Sequence, residues 1–269
     1  MLIATFAFAW MNLLAKYLSD FHPVQVVFFR AFGTFVFIFP YMLYKRVPIL
    51  GKHIGWLSLR GFLSFSSLVM FFIVVQRIPL GSAVALRYTA PIFSLILASL
   101  FLKEYIKPWQ WIGVSIAIGG AFIMKASDFR IDVLSFILIV VSSVFVGGVF
   151  AIIRYLSSRE HYLTIINYFM VFSIVGSVFF ISNWRMPLGV EWYWVTSIGI
   201  LGLIGQVFLT KAFQLAETSM VAPLKYMELV YALIFGFFLL DEKYTLLPLL
   251  GMLLVVFGML LNVYVKRKG

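Results

Sequence analysis

The sequence predicts an all-α integral membrane protein in which ten transmembrane helices form two inverted five-helix repeats. Three observations carry that expectation. The 269 residues are 63% hydrophobic and 12% charged, with a mean hydropathy of +1.05, which leaves too little polar surface to coat a water-soluble globule of this size. Apolar runs of roughly 17 to 22 residues, the length a helix needs to cross about 30 Å of hydrocarbon, recur about ten times. Finally, the stretch Arg87–Glu104, RYTAPIFSLILASLFLKE, returns without a gap at Lys225–Glu242 as KYMELVYALIFGFFLLDE.

The repeat keeps one offset throughout (225 − 87 = 138). It carries Tyr88 to Tyr226, Gln76 to Gln214, Lys16-Tyr17-Leu18-Ser19 to Arg154-Tyr155-Leu156-Ser157, and Gly113 and Gly120 to Gly251 and Gly258. A period of that length marks duplicated halves and not a solenoid. The halves are expected at 1–131 and 132–269.

In order, the spans are expected at 1–18, 24–44, 55–75, 80–101, 109–125, 133–153, 162–182, 193–211, 219–240 and 247–265. Turn-forming residues separate them: His22-Pro23, Lys45-Arg46-Val47-Pro48, Ile78-Pro79-Leu80-Gly81, Lys107-Pro108 and Met186-Pro187-Leu188-Gly189. A transmembrane barrel would need alternating polarity in strands of about ten residues, and these runs are continuously apolar. The first run lacks a basic leader and a small-residue cleavage site, so it reads as a span and not as a removable signal.

Basic residues set the orientation. Lys45, Arg46, Lys52, Arg60, Lys103, Lys107, Arg154, Arg159, Lys211, Lys266, Arg267 and Lys268 fall on the side of the C-terminus, and Lys16, Arg77, Lys125, Arg130, Arg185 and Lys243 on the other, twelve against six. The positive-inside rule then places both termini in the cytoplasm. Five spans per repeat, an odd number, invert the second half relative to the first. The formal charge of +11 is read as loop charge facing an anionic leaflet and not as a nucleic-acid surface. The absence of cysteine excludes disulfides, thiolate metal sites and cysteine catalysis.

Small residues recur in the third and eighth spans, where Gly61, Ser64 and Ser67 match Gly199, Gly202 and Gly205 and should allow close helix approach. The fifth and tenth spans carry few polar side chains and are expected at the periphery, facing lipid or another subunit, with Val255 tolerant of a larger residue.

Ionisable residues deep in a span are costly and need a reason. Counted along the spans, Arg30, Arg87, Lys225 and Glu228 lie roughly 9 to 13 Å from the nearer end. Arg87 and Lys225 are repeat equivalents, so inversion sets them on opposite sides of one shared cavity. Glu228 is the carboxylate nearest the midplane, and a self-contained Lys225–Glu228 ion pair is the plainer alternative. Asn12, Gln206 and Asn167 are further candidates for the lining, and Trp10, Tyr88, Tyr226 and Tyr231 for the walls. Glu104 and Glu242 read as structural groups at span ends. Pro91 and Pro223 should kink the fourth and ninth spans at non-equivalent points.

Ten spans in inverted halves, Arg30 in the second, and leucine-rich ends Leu102-Lys103-Glu104 and Leu240-Asp241-Glu242 before a glycine-marked last helix resemble the EamA-type branch of the drug/metabolite transporter superfamily. The resemblance implies a central cavity lined by the first four spans of each half, with the fifth and tenth helices outside at a homodimer contact. Relatives carry amino acids, nucleotide sugars, triose phosphates or S-adenosylmethionine, and cations on the fourth and ninth helices serve anionic substrates in some. Arg87 and Lys225 fit that placement. The first span has no acid, unlike the small four-helix multidrug relatives.

The expected function is a secondary transporter of a small anionic or zwitterionic metabolite, amino-acid-like or nucleoside-derived, working by alternating access in a bacterial cytoplasmic (inner) membrane. Its expected substrate-binding residues are Arg87, Lys225, Glu228, Tyr88, Tyr226, Asn12, Trp10 and Arg30. No Walker-type loop occurs, so an ion or substrate gradient is the expected energy source. No catalytic residue, metal site, cofactor or nucleic-acid partner is expected. An intramembrane enzyme and a non-transporting scaffold are the alternatives; His22, His53 and His161, all at span ends, count against the enzyme.

Overall fold

The structure, a computed structural model, describes residues 1–102, 108–156, 159–215 and 224–267. Glu104, Lys103, Lys107, Ser157, Pro223 and Lys268 lie outside the described residues. Helices α1 (Leu2–Tyr17), α2 (Pro23–Tyr44), α3 (Ile54–Arg77), α4 (Leu80–Arg87), α5 (Ala90–Leu102) and α6 (Pro108–Ser127) make up the first half. The second half contains α7 (Val133–Leu156), α8 (Tyr162–Val178), α9 (Glu191–Leu215), α10 (Met227–Leu239) and α11 (Leu246–Arg267). The α4 and α5 segments share the fourth span, so the described helices make ten spans and the fold is all-α. Five helical stretches, Pro23–Tyr44, Ile54–Arg77, Leu80–Leu97, Val133–Ile153 and Glu191–Leu209, have the length and hydropathy to cross a bilayer, and shorter apolar helices accompany them.

The packing exchanges the halves in the same way as the sequence offset. Helix α1 packs on α9 as α3 packs on α7, α2 on α9 as α3 on α8, and α5 on α7 as α1 on α10; α2 with α8 and α6 with α11 are self-paired. Close approach rests on glycine. A Cβ on Gly33 would stand 2.6 Å from the Cα of Gly199, so α2 and α9 cross backbone to backbone. Gly61 meets the Phe172 ring on α8, and Gly205 meets Phe8 on α1. Such contacts supply the dispersion that holds helices together where lipid removes the hydrophobic difference.

The tolerance expected of Val255 is corrected. Helices α6 and α11 pack against each other through a glycine seam: Gly120 abuts the Gly251 carbonyl, and its repeat equivalent Gly258 abuts the Gly113 carbonyl. Val255 lies inside this seam with no exposed surface, so it is not the tolerant lipid-facing position that its apolar surroundings suggested. The lipid side of α11 is instead formed by Leu253 and Phe257, 64% and 57% exposed.

Both fourth-span helices are interrupted, and at equivalent residues. The first breaks at Tyr88–Thr89, where Pro91 cannot donate to the carbonyl of Arg87 four residues earlier. In the second half a turn at Tyr226 separates helical Leu224–Lys225 from α10. There Leu229 N–H donates to the Tyr226 carbonyl, and not to Lys225 four residues back. The proline positions differ between halves, whereas these two breaks fall at equivalent residues; the kink expected at Pro223 lies outside the described residues.

At the end of the molecule holding the α1 C-terminus, Glu242 ties three segments. Its carboxylate pairs with Lys16 Nζ at 2.8 Å and accepts from the Leu80 N–H at 2.9 Å, capping α4, while Tyr244 donates to it. Lys16 also donates to the Ile78 carbonyl. This agrees with a structural part for Glu242.

Candidate functional site

The two helix breaks meet. The Tyr88 hydroxyl lies 2.7 Å from the Lys225 carbonyl oxygen, replacing the helical donor that this carbonyl lost. The same hydroxyl is 3.0 Å from Glu228 Oε2, and Asn12 Nδ2 donates to Glu228 Oε1 at 3.0 Å. Tyr88 has one hydrogen, so it serves one of these acceptors at a time. Tyr226 packs on Tyr88 with ring centroids 5.1 Å apart. Glu228 sits in the first turn of α10, where the helix dipole favours negative charge, and Arg87 in the last turn of α4, where it favours positive charge.

The cations are held on aromatic faces. The Arg87 guanidinium lies 3.9 Å from the Phe71 centroid, and Lys225 Nζ lies 5.1 Å from that of Phe150 and 6.0 Å from that of Tyr88. Ion pairs among the described residues do not include Lys225 with Glu228. The carboxylate instead takes neutral donors, so the self-contained pair is not formed, although Arg87 and Lys225 both stand within electrostatic reach of Glu228.

Arg30 belongs to the same charged region, within electrostatic reach of Arg87, Arg60 and Glu228. It is 6% exposed, its Nε lies 3.2 Å from Met11 Sδ, and Gly202 leaves room for its stem. Trp10 is placed elsewhere: it packs on Phe235 and Phe6 and lines a cleft of about 500 Å³ with Tyr17, Asp20, Arg185, Glu191 and Trp194. Asn167 is buried on α8 with its Oδ1 unpartnered among the described residues. Tyr231 packs edge-on against Phe6.

Arg60, grouped by its charge with the basic residues on the side of the C-terminus, is instead buried within a helix. It is the seventh residue of α3 and 5% exposed. Its depth, roughly 9 Å from the helix start, was the signal that could have found it.

A bundle of ten spans with interrupted helices meeting at a buried, charged centre is the architecture of a membrane transporter, where irregular backbone at depth is tolerated because it lines a site. The chain belongs to the EamA-like transporter family, whose model matches residues 1–126 and again 133–264. It is 31% identical over 259 residues to the pseudopaline exporter CntI of Pseudomonas aeruginosa, covering 94% of this chain and 91% of that one. It is 27% identical to human solute carrier family 35 member G1, covering 95% of this chain and 75% of that protein. The S-adenosylmethionine uptake transporter of Rickettsia felis is 26% identical, with 96% and 89% covered. A crystal structure of another protein, 14% identical, matches with a TM-score of 0.62 over 99% of this chain and 98% of that one, a likeness of fold alone.

The protein is therefore an integral multi-pass membrane transporter with a small-molecule substrate.

Proposed function

We propose that the substrate is a small anionic or zwitterionic metabolite, amino-acid-like or nucleoside-derived, moved by alternating access of repeats 1–131 and 132–269. The observation that carries this reading is the meeting of the two broken helices, where Tyr88 of one half reaches both the Lys225 carbonyl and Glu228 of the other. Arg87 and Lys225, lying on aromatic faces, hold the anionic group in turn as the halves rock. Asn12 and Glu228 receive its cationic end. Alternatively Glu228 carries a proton: a protonated carboxyl donates to Tyr88, which then donates to the Lys225 carbonyl, and all three groups are satisfied. A relative named an exporter and another named an uptake transporter both support a reversible frame, with direction set by the gradient.

A thermal-shift screen of purified protein against a metabolite library tests the substrate class, because a ligand bound only by the folded state raises the melting temperature. Stabilisation by anions or zwitterions, lost in Lys225→Gln, is expected; stabilisation by cations alone contradicts the reading.

In this reading both termini face the cytoplasm of a bacterial inner membrane. Single cysteines at Lys52, Phe129, Arg159 and Met186 need no cleared background. An impermeant thiol reagent outside the cell should label 129 and 186 alone.

A further inference from the structure

We infer a second anion subsite, formed by Arg30 of α2 and Arg60 of α3 around Phe169 of α8, so that the substrate carries at least two acidic groups. This deepens the proposed function and rests on its central site. The two guanidinium carbons lie 5.1 and 5.2 Å from the same Phe169 ring centroid. The two groups thus share one aromatic ring, and a cation–π contact of that kind occupies no N–H donor. Arg30 Nη1 and both Nε and Nη1 of Arg60 are buried without a hydrogen-bond partner among the described residues. So is the hydroxyl of Ser64, one turn on from Arg60.

Both side chains are more than nine-tenths buried, and an orphaned donor on a buried charge is among the more destabilising features a fold can hold. A structural pair of arginines would be expected to face a carboxylate. Instead, Glu228 has its oxygens on Asn12 and Tyr88, and the other described carboxylates lie at helix ends or in loops. Among the described residues of this region, four buried or half-buried cations, Arg30, Arg60, Arg87 and Lys225, thus face one carboxylate, leaving three positive charges to be met. Planar guanidinium groups with free in-plane donors suit carboxylate or phosphate oxygens. One acidic group at Arg87 and Lys225 and a second at Arg30 and Arg60 would meet most of that charge.

The test measures the melting temperature of the purified full chain against acetate, succinate and citrate at matched ionic strength. Succinate and citrate should raise it saturably and acetate should not. Arg60→Gln should weaken the succinate response by about tenfold or more, as loss of a charged hydrogen bond does, while the ligand-free protein melts no lower than wild type. Arg60→Lys, which keeps the charge, should retain part of the response.

A merely structural arginine would give the opposite result, a lower ligand-free melting temperature with the succinate response intact, and that overturns the subsite. So does a wild type that responds no better to succinate or citrate than to acetate. Lys225→Gln separates the two readings. Loss of response there with Arg60→Gln unaffected removes the subsite alone, whereas loss in Arg60→Gln with Lys225→Gln unaffected removes the central site.

Discussion

The side-chain amide of Asn12 donates to Glu228 across 216 residues of sequence, joining the first helix of one half to the interrupted helix of the other at 3.0 Å. The contact gives the carboxylate a neutral donor in place of Lys225. Asn12→Leu should remove one of the carboxylate's two side-chain donors and destabilise the protein by about 2 kcal/mol. Tyr88→Phe should have a comparable effect, because it removes the one hydroxyl shared between Glu228 and the Lys225 carbonyl. Thermal unfolding in detergent checks both, and a melting temperature unchanged in Tyr88→Phe would show that the two helix breaks do not depend on this hydroxyl.

The glycine seam predicts where α6 and α11 tolerate change. Gly120→Leu should be disruptive, because its Cβ would stand 2.6 Å from the Gly251 carbonyl oxygen. Val255→Leu, with no exposed surface to expand into, should lower stability by about 1 to 3 kcal/mol through overpacking. Phe257→Leu on the exposed side should be nearly silent. Equal melting temperatures for all three would mean that the seam does not hold the pair.

Much of the fold was legible because lipid imposes a simple rule: each span must be long, apolar and helical. The 138-residue offset then marked the two halves, and the helix contacts exchange under the same offset. The helix breaks were harder to read. Pro91 announces the first, but the second depends on Leu229 choosing the Tyr226 carbonyl and on Tyr88 capping that of Lys225, which no local signal records. The burial of Val255 was hidden for a related reason, since a helix face packed on another apolar helix and one facing lipid have the same composition. In the candidate site, Arg30, Arg87, Lys225 and Glu228 were legible as ionisable residues at depth, and Asn12 and Tyr88 as candidates for its lining and walls. Arg60 was not, because grouping it with the basic residues on the side of the C-terminus hid its burial, and Trp10 looked like a site wall only because aromatic residues are everywhere.

Glu242 should be needed for the strut between α1 and α4. Glu242→Gln leaves Lys16 without its ion pair, and breaking a largely buried pair costs about 3 kcal/mol. The double variant Lys16→Met with Glu242→Gln should recover part of the loss. A double variant no more stable than Glu242→Gln alone would argue that Lys16 contributes little.

At the opposite end, Glu160 closes the loop before α3. Burial pushes its carboxyl up, but donation from the His53 ring and from the His53 and Lys52 backbone N–H groups outweighs this and holds it below the ordinary carboxylate value of 4.5. A group depressed on folding contributes stability above its unfolded value and loses it as pH falls through the folded one. The loop should therefore hold at pH 6 and loosen below about pH 4.5. Glu160→Gln should flatten that acid dependence in hydrogen exchange of residues 50–54. An unchanged acid profile in Glu160→Gln would assign the dependence to another group.

The central claim is tested most directly by counterflow in proteoliposomes. Vesicles are preloaded in turn with zwitterionic amino acids, di- and tricarboxylates and nucleoside derivatives, and entry of the same labelled compound is followed. At least one anionic or zwitterionic compound should accumulate transiently and saturably with the wild type. That accumulation should be abolished in Lys225→Gln and strongly reduced in Arg87→Gln, with both variants still monodisperse on gel filtration. Accumulation of cationic compounds alone, or undiminished counterflow in folded Lys225→Gln, would contradict the account.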